Sequence, residues 1–76
     1  MKETLETIIK NLVEFPDEVS INENEKDGMI VFEVKVKETD MGKVIGREGK
    51  IATSIRTLIK ALAIKENKKV SVEFLG

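Results

Sequence analysis

The chain has 76 residues, no cysteine, no histidine and a formal net charge of −1. We therefore expect no disulfide, no metal or other cofactor and no enzyme, because the remaining polar residue types form no catalytic constellation. No apolar run approaches the roughly 18 residues of a membrane span and no signal peptide opens the chain, so a cytoplasmic protein is expected. The length predicts one domain over residues 1–76.

The first helix is predicted from apolar residues at helical spacing. These residues, which share one face of a helix, are Leu5, Ile8, Ile9, Leu12 and Val13. Pro16 cannot continue a helix, because it lacks the backbone N–H and disfavours the helical conformation of the residue before it. We therefore expect an amphipathic helix of about four turns that ends by Phe15.

Two strands are predicted over residues 18–38. Val19 and Ile21 alternate with polar residues, which indicates a short strand, and residues 22–28 are acidic and rich in turn-forming residues. The dipeptide Asp27-Gly28 is a good hairpin signal. The second strand has one apolar face, made of Ile30, Phe32, Val34 and Val36. The two strands are expected to be antiparallel.

Two helices and a last strand follow. Thr39 or Asp40 can cap a short helix over Met41–Ile45. The next helix is predicted over residues 50–65, with a termination signal at Asn67. Its apolar face is formed by Ile51, Ile55, Leu58, Ile59 and Leu62. The last strand is indicated by alternating apolar residues, Val70, Val72 and Phe74.

The order of these elements, αββααβ, predicts an α+β fold with two layers. The last two strands are joined through helices, which favours parallel pairing, whereas the first two form an antiparallel hairpin. We therefore expect a three-stranded mixed sheet with all helices on one face.

A glycine-rich stretch, residues 42–52, spans the junction of the two predicted helices. Residues 46–49 form a G-x-x-G pattern, and Lys43, Arg47 and Lys50 supply cations around it. Glycines let the backbone turn sharply and let another backbone approach, and the N–H groups that open the next helix favour an anion. The stretch therefore suits a sugar-phosphate chain. The spacing alone leaves an alternative open, which is a joint between two helices without a ligand.

The charges divide between the two halves of the chain. Residues 1–40 carry 5 Lys and 11 Asp or Glu, a net of −6, whereas residues 41–76 carry 8 Lys or Arg and 3 Glu, a net of +5. The cations therefore gather in the half that contains the glycine-rich stretch. Solvated surfaces of opposite sign would give the same division.

The glycine-rich stretch and its surroundings resemble a known family. The run Gly42-Lys43-Val44-Ile45-Gly46-Arg47-Glu48-Gly49-Lys50-Ile51-Ala52, with Ile55-Arg56-Thr57 downstream, is similar to the KH domain of the small bacterial KhpA proteins. An additional helix and strand at the N-terminus match the bacterial, type II arrangement, and the resemblance covers essentially the whole chain. It implies binding of single-stranded RNA, with roughly four nucleotides held by their backbone at the loop.

The resemblance also implies which residues bind RNA. The loop would be Gly46, Arg47, Glu48 and Gly49, with Gly42, Lys43 and Lys50 beside it and Val44, Ile45 and Ile51 toward a groove for the bases. Core packing is an alternative role for each of these three apolar residues. Glu48 places an anion in the loop and would oppose binding unless it points away or pairs with a lysine. No aromatic residue lies near the loop in sequence, so slight sequence discrimination is expected.

Family members of this type are linked to a larger KH-containing partner, KhpB, and to control of cell elongation and envelope synthesis. The resemblance therefore implies an RNA chaperone or regulator with a partner of that kind, and no small-molecule substrate. We expect pairing, with itself or with a second KH domain, because a small chain gains stability by association and pairing would extend the RNA footprint. The outer face of helix 50–65 would form the contact through Thr57, Lys60, Ala61 and Ile64. Two alternatives stay open, a dimerisation module with a vestigial loop and binding of single-stranded DNA.

Overall fold

The structure is a computed structural model, and it describes residues 1–75. In chain order its elements are helix α1, Lys2–Leu12; strand β1, Ser20–Lys26; strand β2, Met29–Lys35; helix α2, Met41–Ile45; helix α3, Lys50–Lys65; and strand β3, Lys69–Leu75. Single turns of 3-10 helix occur at Pro16–Glu18, Glu38–Asp40 and Arg47–Gly49. This order confirms the predicted α+β fold class. None of the helices in residues 1–75 has the length and apolar character needed to cross a bilayer.

Strands β1 and β2 form a hairpin around a two-residue turn. Both turn residues have positive φ, 52° at Asp27 and 76° at Gly28, as in the turn whose twist matches that of the flanking strands. All 7 residues of β1 pair with β2. The prediction of a turn-rich segment over residues 22–28 is therefore wrong for its first five residues. Because the tight turn holds the two strands side by side, the antiparallel ladder extends through these polar residues, although they have little strand propensity of their own.

Helix α1 is shorter than the sequence predicts. It has 11 residues, about three turns, and Val13 beyond its end is extended, with φ −97° and ψ 158°. The backbone N–H groups of Glu14 and Phe15 donate to the carboxylate of Asp40 over 3.1 and 3.0 Å. A contact with a distant part of the chain thus replaces the last helical turn.

The sheet has the order β1-β2-β3, and β3 runs parallel to β2. Both strand pairings are confirmed. One face of the sheet packs with the helices in a single apolar core. The sheet contributes Ile21, Phe32, Val34, Val70 and Val72, and the helices contribute Leu5, Ile9, Val44, Ile55, Ile59 and Ala63. Strand β3 is left as an outer strand beside α3.

Helix α3 packs through a face rotated by roughly 60° from the predicted apolar face. Its buried residues are Ala52, Ile55, Ile59 and Ala63. Leu58, which the sequence assigns to the apolar face, is 45% exposed, so that assignment is wrong. The small alanine side chains let the helix backbone approach the strands, and Leu58 is left at the margin that faces α1.

The end of α3 is as the sequence predicts. Asn67 has a left-handed backbone, with φ 56°. The N–H groups of Asn67 and Lys68 donate to the carbonyl groups of Ile64 and Ala63 over 3.1 and 2.9 Å. This pair of hydrogen bonds is the Schellman motif, which asparagine can form because it tolerates the left-handed conformation.

Candidate nucleic-acid interface

The loop between α2 and α3, residues 46–49, is a tight turn with positive φ at three positions. The values are 77° at Gly46, 57° at Glu48 and 73° at Gly49. Gly46 N–H donates to the carbonyl of Gly42 over 2.9 Å, and Gly49 N–H donates to the carbonyl of Gly46 over 3.2 Å. Helix α3 begins at the next residue. The loop is therefore a defined corner between two helices.

Gly46 is needed at this corner for two separate reasons. Its φ of 77° and ψ of 174° are a combination that is essentially restricted to glycine. A Cβ atom here would lie 2.5 Å from Cγ1 and 2.9 Å from Cβ of Ile51. The first turn of α3 is thus in close contact with the end of α2, and a side chain at residue 46 would push the two helices apart.

Gly42 and Gly49, in contrast, lie in open surroundings. A Cβ atom at either position would meet nothing within 4 Å. Gly49 has a left-handed backbone with φ 73° and ψ 14° directly before α3, which glycine adopts without steric cost. The backbone on both sides of the loop is therefore open to the approach of a second chain.

The charged side chains around the loop are not equivalent. Arg47, Glu48 and Lys50 are exposed, and among residues 1–75 Glu48 makes no ion pair with a lysine. Lys43 is different, because its Nζ lies 3.4 Å from Oδ1 of Asp40 while 43% of its side chain stays exposed. The cations available at the loop itself are therefore Arg47 and Lys50, and Glu48 offsets one of them.

Asp40 is the only buried charged residue in the described part of the chain. Burial alone would raise the pKa of its carboxyl, but the N–H donors of Glu14 and Phe15 and the Lys43 ammonium together hold that pKa below the ordinary value of 3.8. The predicted side-chain cap on α2 is absent, so this prediction is wrong. Asp40 instead connects the segment after α1 to Lys43 on α2. Residues 1–75 contain no group of three or more side chains placed to hold a metal ion.

The three apolar residues expected at the base groove differ in exposure. Val44 is fully buried in the core, so its side chain is not available to RNA and the expected contact is corrected. Ile45 and Ile51 are half-buried. Only Ile51 lines the apolar groove that the structure places beside the loop, between α1 and α3. The full lining is Ile8, Leu12, Lys50, Ile51, Ser54, Ile55 and Leu58.

Arg56 is held by two contacts that the sequence does not predict. Its Nε donates to the backbone carbonyl of Val72 on β3 over 3.0 Å, and its guanidinium carbon lies 5.3 Å from the centroid of the Phe74 ring. The only signal in the sequence is the position of Arg56 around the helix, which is next to the small buried residues of α3. Its contact with the predicted last strand could not be inferred from the sequence.

The outer face of α3 carries the four residues expected at a pairing interface, Thr57, Lys60, Ala61 and Ile64, and all are exposed. Ile64 is 73% exposed, the largest fraction among the large apolar residues described. The Thr57 hydroxyl donates to the carbonyl of Thr53 over 2.9 Å, so it is engaged within its own helix. The structure thus brings the four residues onto one accessible surface.

A family model described as KhpA/KhpB, KH domain matches residues 2–74. This chain belongs to the KhpA/KhpB KH-domain family. The resemblance of the glycine-rich stretch to KhpA is thereby confirmed. The expectation of no enzyme is also confirmed, since the KH family is a non-enzymatic fold and the relatives are named as binding proteins.

Relatives in this family match the chain over almost all of its length. The RNA-binding protein KhpA of Clostridium acetobutylicum is 56% identical over 75 residues, which are 99% of this chain and 100% of that protein. The protein of the same name in Clostridium perfringens is 55% identical with the same coverage. The RNA-binding protein KhpA of Chlamydia trachomatis is 44% identical over 75 residues, which are 99% of this chain and 96% of that protein.

Solved structures with the same fold belong to a longer protein, Era. The Aquifex aeolicus structure with GDP and AlF4− has a TM-score of 0.65 and 23% identity. A second Era structure, solved with MgGDPNP and part of 16S ribosomal RNA, has a TM-score of 0.64. Each match covers 95% of this chain but only 28% of the Era chain, so the likeness concerns the KH fold alone.

Proposed function

We propose that the chain binds single-stranded RNA at the loop of residues 46–49. The observation that carries the proposal is the packing of Gly46 against Ile51, which fixes an exposed corner of backbone at the start of α3. Helix N-termini favour phosphate because their N–H groups are unpaired and their dipole is positive. Arg47 and Lys50 add cations there, and relatives named RNA-binding proteins support the same conclusion.

The RNA backbone passes close to Gly42 and Gly49, where no Cβ atom obstructs it. Lys43 contributes through the exposed part of its side chain, while Asp40 fixes its position. Bases lie against the half-buried Ile45 and Ile51 by apolar contact. Without an aromatic residue in the loop, binding depends little on sequence, which suits an RNA chaperone or a regulator of many transcripts.

The decisive variant combines Arg47→Asp with Glu48→Asp. It changes the loop charge by two units without adding bulk, and at an exposed turn we expect the free energy of unfolding to change by no more than about 0.5 kcal/mol. RNA binding, measured by fluorescence anisotropy with an unstructured oligonucleotide, should be lost. Lys68→Asp is the matched control, because it makes the same change of charge at an exposed residue after α3 and should retain binding.

Two results would contradict the loop as the RNA site. If the double variant binds as well as the wild type, RNA binds elsewhere, and if neither protein binds, the alternative of a dimerisation module with a vestigial loop is favoured. Ultraviolet crosslinking with and without ribonuclease separates these cases in cell extracts. Competition by DNA of the same base sequence tests the remaining alternative of single-stranded DNA, because only RNA offers a 2′-hydroxyl group.

We also propose that the chain pairs through Thr57, Lys60, Ala61 and Ile64, either with itself or with a KhpB-like protein. The exposure of Ile64 favours such a contact. Lys60 and Lys68 lie around Ile64, so self-pairing brings like charges together and should strengthen as salt rises. A partner with carboxylates on the matching face would instead bind more weakly as salt rises.

Sedimentation equilibrium at low and high salt distinguishes the two kinds of pairing. Ile64→Lys should abolish self-association, because it places a further cation at the centre of the symmetric contact. Leu12→Lys is the matched control, since it puts a lysine in place of another exposed apolar residue on α1. A wild type that stays monomeric at high micromolar concentration, alone and with a KhpB-like protein, rejects pairing.

The proposed cellular role is regulation of cell elongation and envelope synthesis together with the KhpB-like partner. Its support is the resemblance to the KhpA proteins, and the family model that the chain matches covers the KH domains of KhpA and KhpB. Cells that carry only the double loop variant should show the same change in cell length as cells without the protein. Normal length in both strains would reject this role and leave RNA binding unaffected.

A further inference from the structure

Strand β1 forms one edge of the sheet and has a neighbouring strand on one side only. The sheet order is β1-β2-β3, so no strand of residues 1–75 lies along the second side of β1. All 7 residues of β1 are extended and pair with β2. An edge of this kind presents unpaired N–H and C=O groups to which another extended chain can bind. The edge contains no residue that is proposed to bind RNA.

The tight hairpin turn determines which backbone groups of β1 face the open side. Around a two-residue turn the flanking residues, here Lys26 and Met29, form a hydrogen-bonded pair, and such pairs alternate along an antiparallel ladder. The N–H and C=O groups of the even-numbered residues of β1 therefore point toward β2. Those of Ile21, Glu23 and Glu25 point away from it, and among residues 1–75 no hydrogen bond outside the strand pairing uses them. These backbone donors and acceptors are therefore available along the edge.

The side chains beside these groups are anionic. Glu23 and Glu25 share one face of β1, because side chains alternate along a strand, and both are exposed. Neither of them forms an ion pair within residues 1–75. The opposite face of the strand carries Asn22, Asn24 and Lys26. A chain added to this edge thus meets carboxylates at alternate positions of one face.

We propose that the open edge of β1 binds an extended segment of a second protein with lysine or arginine at alternate positions, which becomes a fourth strand of the sheet. Backbone hydrogen bonds supply affinity, and the cationic side chains pair with Glu23 and Glu25. A second copy of this chain fits less well, because antiparallel pairing of two β1 strands about a twofold axis brings their glutamates together. The site is separate from the proposed RNA site and does not depend on it.

The test uses two synthetic peptides of equal charge, each as long as β1, which has 7 residues. In the first peptide lysine alternates with threonine, which has a high strand propensity. In the second peptide every backbone nitrogen is methylated, so the peptide keeps its charge but has no N–H donor for a ladder. Comparison of the two separates strand addition from general attraction between opposite charges.

Binding is followed by nitrogen-15 NMR of the wild-type protein, so the result does not depend on how variants fold. With the first peptide we expect the amide signals of Ile21, Glu23 and Glu25 to move. Their hydrogen exchange should slow by about tenfold at about nine-tenths occupancy, because exchange then requires release of the peptide. The N–H groups of Asn22 and Asn24 already point toward β2 and should keep their exchange rates. The methylated peptide should leave all of these rates unchanged.

Charge reversal tests the chemistry of the partner. Glu23→Lys with Glu25→Lys should lower affinity for the lysine peptide by about tenfold. The same variant should gain affinity for a peptide with glutamate in place of lysine. Glu3→Lys with Glu66→Lys is the matched control, because it makes the same change of charge at two exposed residues outside the sheet. The control should bind the lysine peptide as the wild type does.

Four results would overturn the proposal. Unchanged signals of Ile21, Glu23 and Glu25 at millimolar lysine peptide show that the edge does not bind such a chain. Equal effects of the methylated peptide, or an equal loss in the control variant, show a general effect of charge. Equal binding of the lysine and glutamate peptides to the wild type shows that the glutamates do not select the partner. Slowed exchange that rises with protein concentration in the absence of peptide assigns the edge to a second copy of this chain.

Discussion

Two tight turns in this molecule share one backbone feature and differ in what surrounds it. The hairpin turn Asp27-Gly28 and the loop of residues 46–49 both require positive φ. A Cβ atom on Gly28 would meet nothing within 4 Å, whereas one on Gly46 would lie 2.5 Å from Ile51. The hairpin turn only reverses the chain, while the loop also holds two helices in contact. Positive φ thus marks a turn, and close packing distinguishes the turn proposed to bind RNA.

The surroundings of the two turns also differ in charge. Glu25, Lys26 and Asp27 give the hairpin turn a net charge of −1, whereas Arg47, Glu48 and Lys50 give the loop a net charge of +1. Both sets are exposed, so solvent screens each of them. The difference matters for a polyanion, which is repelled by the first turn and attracted by the second.

The largest effect is expected for alanine at the packed glycine. Gly46→Ala should lower the free energy of unfolding by about 3 kcal/mol or more, because it combines a backbone restricted to glycine with a clash against Ile51. Gly28→Ala has only the left-handed conformation to oppose it and should cost about 1–2 kcal/mol. Urea unfolding of the two variants measures both values.

A double variant checks the cause of that difference. Ile51→Ala removes Cγ1 and Cδ1, two of the three atoms nearest to the new Cβ, and retains the Cβ of residue 51, so in its presence Gly46→Ala should cost less than it does alone. Gly28→Ala should cost the same with and without Ile51→Ala. A cost of Gly46→Ala that is the same with and without Ile51→Ala would show that Cγ1 and Cδ1 of Ile51 are not the reason for this glycine.

A smaller effect is expected when one cation is removed from each turn. Arg47→Gln should make the slope of log K against log salt for single-stranded RNA less steep by about 0.7, because one phosphate contact is lost. Lys26→Gln, next to the hairpin turn, should leave the slope unchanged. Titrations at several salt concentrations measure both slopes, and equal changes would mean that RNA responds to net charge and not to the loop.

Local signals in the sequence were sufficient for much of the fold. The bounds predicted for the helices, Met41–Ile45 and 50–65, agree with the structure, because glycine, asparagine and apolar spacing act within a few residues. The hairpin turn is local in the same way. Strand β1 is longer than predicted because pairing with β2, and not its own propensity, keeps its polar residues extended.

The errors concern contacts between residues far apart in sequence. Leu58 is exposed because α3 packs against the sheet through a face that contains the small residues Ala52 and Ala63. The spacing of apolar residues does not show whether small or large side chains form this contact. Asp40 has the position of a helix cap, but its carboxylate accepts a hydrogen bond from the backbone N–H of Phe15, 25 residues earlier. The position of the Arg56 side chain likewise depends on a hydrogen bond to the distant strand β3. The loop could be predicted as a site, whereas the side chains that position its neighbours could not.

The smallest effect is expected when pH is lowered, and it concerns the buried carboxylate that precedes α2 and the loop. The hairpin turn has no buried carboxylate, whereas α2 begins after Asp40, whose pKa in the folded protein lies below its ordinary value of 3.8. A lowered pKa means that the ionised form stabilises the fold. This stabilisation is complete above the unfolded-state pKa and is lost as pH falls through the folded-state pKa.

We therefore expect the free energy of unfolding of the wild type to decrease as pH falls below the ordinary Asp40 pKa of 3.8. Asp40→Asn cannot gain or lose this proton, and its amide replaces an acceptor of two backbone N–H groups. Its difference in stability from the wild type should be largest near neutral pH and should narrow as pH falls. Asp27→Asn at the hairpin turn is the matched control, because it removes one carboxylate without removing a described hydrogen bond. Urea unfolding at several pH values gives the three curves. A constant difference between wild type and Asp40→Asn would show that the carboxylate supports α2 by its shape and not by its charge.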